Sequence, residues 1–241
     1  MSGHSKWSTI KRKKEKTDSQ RAKIFTKIGR ELTIAVRSGG PDPNSNSKLR
    51  DCIAKAKANN VPNDNIDRII KKAAGSDDGS NYEEITYEGY GPCGVALMVE
   101  TLTDNRNRTA GDLRHYFDKF GGNLGQVGSV SFLFERKGLI FIDQSAVGED
   151  EMMEAALEAG AIDFSTDEDE GLYEVYTDVT GFSTVRETLE QSYKLESAEL
   201  SYLPTTYAAI ENEEDAVKMT RLLDTLEDND DVQDIWHNLK D

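Results

Sequence analysis

Between residues 18 and 37, Ile24, Phe25, Ile28, Leu32, Ala35 and Val36 fall within about 120° of arc when the chain is wound at roughly 100° per residue. Lys23, Lys27, Arg30 and Arg37 fall on the opposite side, with Ile34 the exception among them. The pattern predicts an amphipathic helix, stopped by the Ser-Gly-Gly of residues 38–40 and by Pro41 and Pro43. A second helix is predicted from about Ser47 to Asn59, burying Leu49, Cys52, Ile53 and Ala56 and leaving Lys48, Arg50, Lys55 and Lys57 to solvent. A third begins near Pro62, a residue suited to a first helical turn, buries Ile66, Ile69, Ile70 and Ala73, and ends at Gly75.

After the turn-forming stretch GSDDGSN at 75–81 the period changes. EITYEGY at 84–90, GVALMVETL at 94–102 and SVSFLF at 129–134 read as strands. The Thr-Ala-Gly-Asp run at 109–112 reads as a capping box for a helix with Leu113, Tyr116, Phe117 and Phe120 on its apolar face. From 136 to 204 the order is strand, helix, strand, strand, helix, strand, a ferredoxin-like unit. TYAAIE, AVKMTRLLDTLED and VQDIWH then read as strand, helix, strand, and joined to 94–134 they complete a second such unit. The expected fold is α+β: a helical N-terminal domain followed by two ferredoxin-like domains, one inserted in the other. The expected boundaries are 1–77 for the basic helical domain, 82–134 plus 205–241 for the middle domain and 135–204 for the inserted acidic domain.

Charge sharpens this division. The 241 residues hold 29 Lys and Arg against 45 Asp and Glu, a formal net charge of -16. Residues 1–75 hold 18 and 7 of these, which leaves 11 and 38 for the rest, so the head is +11 and the remainder -27. A basic module on an acidic carrier points to nucleic acid as partner. The longest apolar runs, VALMV at 95–99 and LIFI at 139–142, are too short to span a bilayer, and the N-terminus runs straight into charge without a signal sequence. Cys52 and Cys93 have no CxxC spacing, so neither a disulfide framework nor a zinc site is indicated. A soluble protein of a reducing cytoplasm is expected.

Motifs for catalysis are missing. GYGPCG at 89–94 and GGNLGQVGS at 121–129 lack the spacing of a nucleotide loop and read as turns and close backbone approaches. The acidic runs at 167–170 and 228–231 lack calcium-loop spacing and read as solvated turns. His4, His115 and His237 stand at no metal-ligand or nucleophile spacing. No catalytic residue, metal or cofactor is expected.

What survives is the opening stretch, where Lys6, Lys11, Arg12, Lys13, Lys14, Arg21, Lys23, Lys27 and Arg30 are placed to neutralise phosphates, with His4 and Trp7 as flat faces for stacking on bases. A second patch is TDNRNRT at 103–109, whose Arg106 and Arg108 either grip phosphate or pair with Asp inside a structural turn. The partner is DNA or ribosomal RNA, with the acidic body available to a protein.

GHSKW at 3–7, KIFTKIGREL at 23–32, KAKANNVPNDNI at 55–66, YEGYGPCG at 87–94, the run from Leu102 to Gly138 and EAALEAGA at 154–161 closely resemble the YebC/PmpR family, which includes the mitochondrial translational activator of cytochrome c oxidase. The resemblance spans essentially the whole chain. It departs at Cys93, where the family usually carries Gly, and in the lysine-rich segment KRKKEKTDSQ. It implies a three-domain α+β protein that regulates gene expression, commonly described as a DNA-binding transcriptional regulator. A second line of family knowledge implies a ribosome-associated factor that helps elongation through proline-rich stretches.

Overall fold

The computed structural model describes residues 18–75 and 82–240, with side chains from residue 22 onward. His4, Lys6, Trp7, Lys11, Arg12, Lys13 and Lys14 lie outside the described residues, as does the stretch 76–81, and Arg21 is placed only as a helix position. No helix among the described residues is long and apolar enough to cross a membrane.

Three helices open the described chain: α1 (Asp18–Gly39), α2 (Ser47–Ala58) and α3 (Asn63–Gly75). Their apolar stripes meet in one cluster built from Ile28, Leu32, Ala35, Val36, Leu49, Cys52, Ala56, Val61 and Ile66. The α1–α2 corner is tied by Asn46, whose Oδ1 accepts from the Leu49 N–H at 3.0 Å and whose amide donates to the carbonyls of Ala35 at 2.7 Å and Gly40 at 2.8 Å. One buried side chain thus caps α2 and closes the C-terminal end of α1.

Next come β1 (Glu83–Tyr90), β2 (Ala96–Thr103), α4 (Arg106–Lys119) and the short β3 (Asn123–Leu124). The chain then runs through β4 (Phe134–Asp143), α5 (Glu149–Ala159), β5 (Asp163–Asp167), β6 (Leu172–Thr177), α6 (Phe182–Glu190) and β7 (Leu195–Pro204). It ends with α7 (Glu213–Asp228) and β8 (Val232–His237). Residues 136–203 form one compact unit, and the described residues of 18–135 with 204–240 form another.

Within 136–203, the sheet order β5-β6-β4-β7 is the one a β-α-β-β-α-β chain produces. One face packs on α5 and α6 through Ile140, Ile142, Met152, Ala156, Val175, Val185 and Leu189, and Leu139, Phe141, Leu172, Tyr176 and Leu203 form a separate buried cluster. In the other unit the order is β3-β1-β2-β8, with α4 and α7 packed through Leu113, Phe117, Met219, Leu222 and Leu226 against Val95, Leu97 and Val99. Thr205 donates its N–H to the Leu133 carbonyl at 2.9 Å, stitching the point where the chain leaves this unit to the point where it returns.

Several local readings change. SVSFLF is not a strand before Phe134: Ser131–Leu133 is a single 3-10 turn, because the Glu88 carboxylate takes the N–H groups of Gly128, Val130 and Ser131 that a strand would pair. The pairing with β1 falls instead to Asn123 and Leu124. TYAAIE contributes only an isolated bridge, Ala208 to Leu239. The helix read from Thr109 begins at Arg106, with the Asn105 side chain accepting from the Arg108 N–H, and Thr109 is buried in its first turn. The glycine loops do serve close approach: a Cβ on Gly122 would lie 2.3 Å from the Tyr90 carbonyl oxygen.

Cys93, in the turn joining β1 to β2, has φ of 56°, the left-handed region that costs a residue with a Cβ about 1 kcal/mol and glycine nothing. Cys93→Gly should therefore raise stability by up to about 1 kcal/mol in urea unfolding, offset in part by the lost contact of its Sγ with Asp215. A stability loss would show that the Sγ contact outweighs the backbone strain.

Candidate nucleic-acid interface

Lys23, Lys27 and Arg30 share one stripe of α1 and face carboxylates or carbonyls in the last turn of α7 and just past its end. Lys23 Nζ lies 2.8 Å from Asp228 Oδ1, and Lys27 Nζ donates to the Glu227 carbonyl at 2.9 Å. Arg30 donates to the Asp230 carbonyl at 2.7 Å and to Asp231 Oδ1 at 3.2 Å, and its guanidinium lies 5.5 Å from the Tyr82 ring centre. From α2, Lys55 bridges Glu31 at 2.8 Å and Asp234 at 3.2 Å, and Lys48 pairs with Glu84. The acidic run at 228–231 is therefore more than a solvated turn: Asp228 and Asp230 stay exposed while Asp231 is buried, and the run seats the basic helix.

Asp231 is the centre of this arrangement. Its side chain is 7% exposed, and while Oδ1 takes Arg30, Oδ2 accepts from Arg108 at 2.8 Å, Thr109 at 2.8 Å and Thr103 at 3.2 Å. Burial alone would push its carboxyl upward, but Arg108, Thr109 and Arg30 outweigh that and hold it below the usual value of 3.8. Arg108 also pairs with Asp104 at 2.9 Å, so of the two readings of TDNRNRT the Arg–Asp turn describes Arg108. Arg106 stands exposed at the first position of α4.

The structure brings Lys23, Lys27, Arg30 and Arg108 together around one acidic segment and leaves Arg106 apart from that group. Lys57, Arg68, Lys71 and Lys72 are exposed at the end of α2 and along α3. These last cations belong to the +11 count of the head yet carry no motif, which is why a reading drawn to the lysine-dense opening passes over them.

Residues 5–76 match the family domain described as the TACO1/YebC protein N-terminal domain, and residues 82–239 match the TACO1/YebC second and third domain. The chain belongs to the TACO1/YebC family. A relative from Ruminiclostridium cellulolyticum is 60% identical over 240 residues, covering 99% of this chain and 96% of its own, and one from Finegoldia magna is 56% identical over 239 residues, covering 99% and 98%. Both are named "Probable transcriptional regulatory protein". The crystal structure of a conserved hypothetical protein from Aquifex aeolicus is similar with a TM-score of 0.81 and 46% identity, over 93% of this chain and 92% of that one.

Proposed function

We propose that this chain is a regulator of gene expression that acts by binding nucleic acid through its basic helical module, with duplex DNA as the ligand. The carrying observation is the charge division, +11 on residues 1–75 against -27 on the rest. A body that repels polyanions confines contact to the head, and the exposed Lys57, Arg68, Lys71 and Lys72 extend the positive surface beyond the opening arm. The names of the relatives support transcription as the process. In this reading the site lies in a reducing cytoplasm and works without catalysis. Neither cysteine suits a nucleophile: burial pushes the Cys52 thiol up to about 12, and a hydrogen bond to Asp215 raises that of Cys93.

The test is a charge reversal. Lys11→Glu, Arg12→Glu, Lys13→Glu and Lys14→Glu combined should lower affinity for a mixed-sequence duplex by at least about a hundredfold at moderate salt, with a flatter salt dependence. Fluorescence anisotropy on duplex DNA and on a structured RNA checks this. Unchanged affinity for both ligands would remove the arm from the site. Preference for the RNA would move the process from transcription to translation on the ribosome.

A further inference from the structure

We propose that the acidic segment from Glu227 to Asp234 is an autoinhibitory dock that holds the basic face of α1 and α2, and that a nucleic-acid backbone opens it by taking over the same cations. The inference rests on the nucleic-acid reading above.

Three observations carry it. First, the contacts are one-sided in charge: Lys23, Lys27, Arg30, Lys48 and Lys55 come from the helical module, and Asp228, Asp231, Asp234, Glu84 and the carbonyls of Glu227 and Asp230 come from the sheet domain. Second, the hydrophobic cluster of the three helices and that of the sheet domain share no residue, so each closes without the other. The contacts named above between the modules are hydrogen bonds and ion pairs, with the Arg30–Tyr82 ring contact beside them. Third, the outer pairs are exposed, Lys23 by 43% and Asp228 by 70%, so salt and competing anions reach them. Phosphate oxygens offer lysine and arginine the same charge-assisted hydrogen bonds as carboxylates. A docked fraction lowers the apparent affinity in proportion, so weakening the dock tightens binding.

Asp228→Asn with Asp234→Asn loosens the exposed Lys23 contact and the half-buried Lys55 contact and leaves the Asp231 centre in place. The control is Glu213→Gln with Glu214→Gln, which removes the same charge about 22 Å away at the other end of α7. Anisotropy on duplex DNA and on a structured RNA should show the dock variant binding about three- to tenfold tighter than the control pair. A dye pair then reads opening. One dye goes on native Cys93, which is exposed, and one on Ala74→Cys, also exposed, while buried Cys52 stays unlabelled. Transfer between the dyes should fall when nucleic acid saturates the protein, and also when salt is raised to about 0.5 M without ligand.

Equal tightening in both variants would mean that net charge alone acts, and would overturn the dock. Constant transfer on saturation would overturn it as well, while leaving the head as the binding module. A wild-type protein that opens with salt but binds neither polymer would overturn the nucleic-acid reading itself and retain only a salt-sensitive joint.

Discussion

Glu88→Ala is expected to lower the stability of the β3-β1-β2-β8 domain by about 3 to 5 kcal/mol, because three backbone donors lose one buried acceptor at once. Glu88 is 5% exposed, with Oε1 accepting from Gly128 and Oε2 from Val130 and Ser131, each at 2.8 Å. Its own backbone carbonyl takes the Gly125 N–H at 2.8 Å. Val130 is fully buried, so its donor has no route to water once the carboxylate is gone. Glu88→Gln keeps the shape but offers one acceptor oxygen, and should cost about half as much. Urea unfolding followed by Trp236 fluorescence, in a Trp7→Phe background, reads the domain directly because Trp236 lies on β8. A loss below about 1 kcal/mol for the alanine variant would show that solvent replaces the carboxylate. Acid adds a second check. Burial acts to raise the Glu88 carboxyl, the three N–H groups and Ser131 outweigh it, and the net direction is below 4.5. Its stabilisation is therefore complete above pH 4.5 and is lost as pH falls through the lowered value, so wild type and variant should converge in acid.

Asp231→Ala carries the next largest effect, about 2 to 4 kcal/mol, and it should reach two modules rather than one. Thr103 and Thr109 keep each other at 2.8 Å, which limits the loss within the sheet domain. Among the described residues Arg30 keeps the Asp230 carbonyl and the Tyr82 ring, so α1 loses its most buried anchor. Double-mutant cycles of Asp231→Ala with Arg30→Ala and with Arg108→Ala should each give a coupling above about 0.5 kcal/mol. Additivity in the Arg30 cycle would show that α1 does not depend on this carboxylate. The lowered carboxyl again fixes the sign: this contribution is present above pH 3.8 and fades as pH falls through the folded value.

The helical module was legible because its information is local. Apolar spacing, Pro62 and the turn at 38–43 predict α1, α2 and α3 to within a few residues. The α+β class and the strand-helix order of 136–204 were legible for the same reason. SVSFLF misled because alternation reports only that side chains can alternate, while Glu88, forty or so residues earlier, claims the backbone donors. The capping box at Thr109 misled because its hydroxyl is spent on Asp231, 122 residues away. The candidate site was legible as charge but not as arrangement. Lys27 meets the Glu227 carbonyl across 200 residues, and no local pattern distinguishes an acidic turn in water from one that seats a basic helix.

Residues 136–203 interrupt the sequence of the other unit, and this has a consequence for the order of synthesis. A chain made from its N-terminus completes α1, α2, α3, β1 and β2 long before β8, the neighbour that covers one side of β2. During that interval β2 has an open hydrogen-bonding edge, and the inserted unit is translated while its host still lacks a strand and the α7 layer. The acidic seat of α1 belongs to the same late segment, so the nascent protein carries its basic helix uncovered until the last stretch of chain arrives.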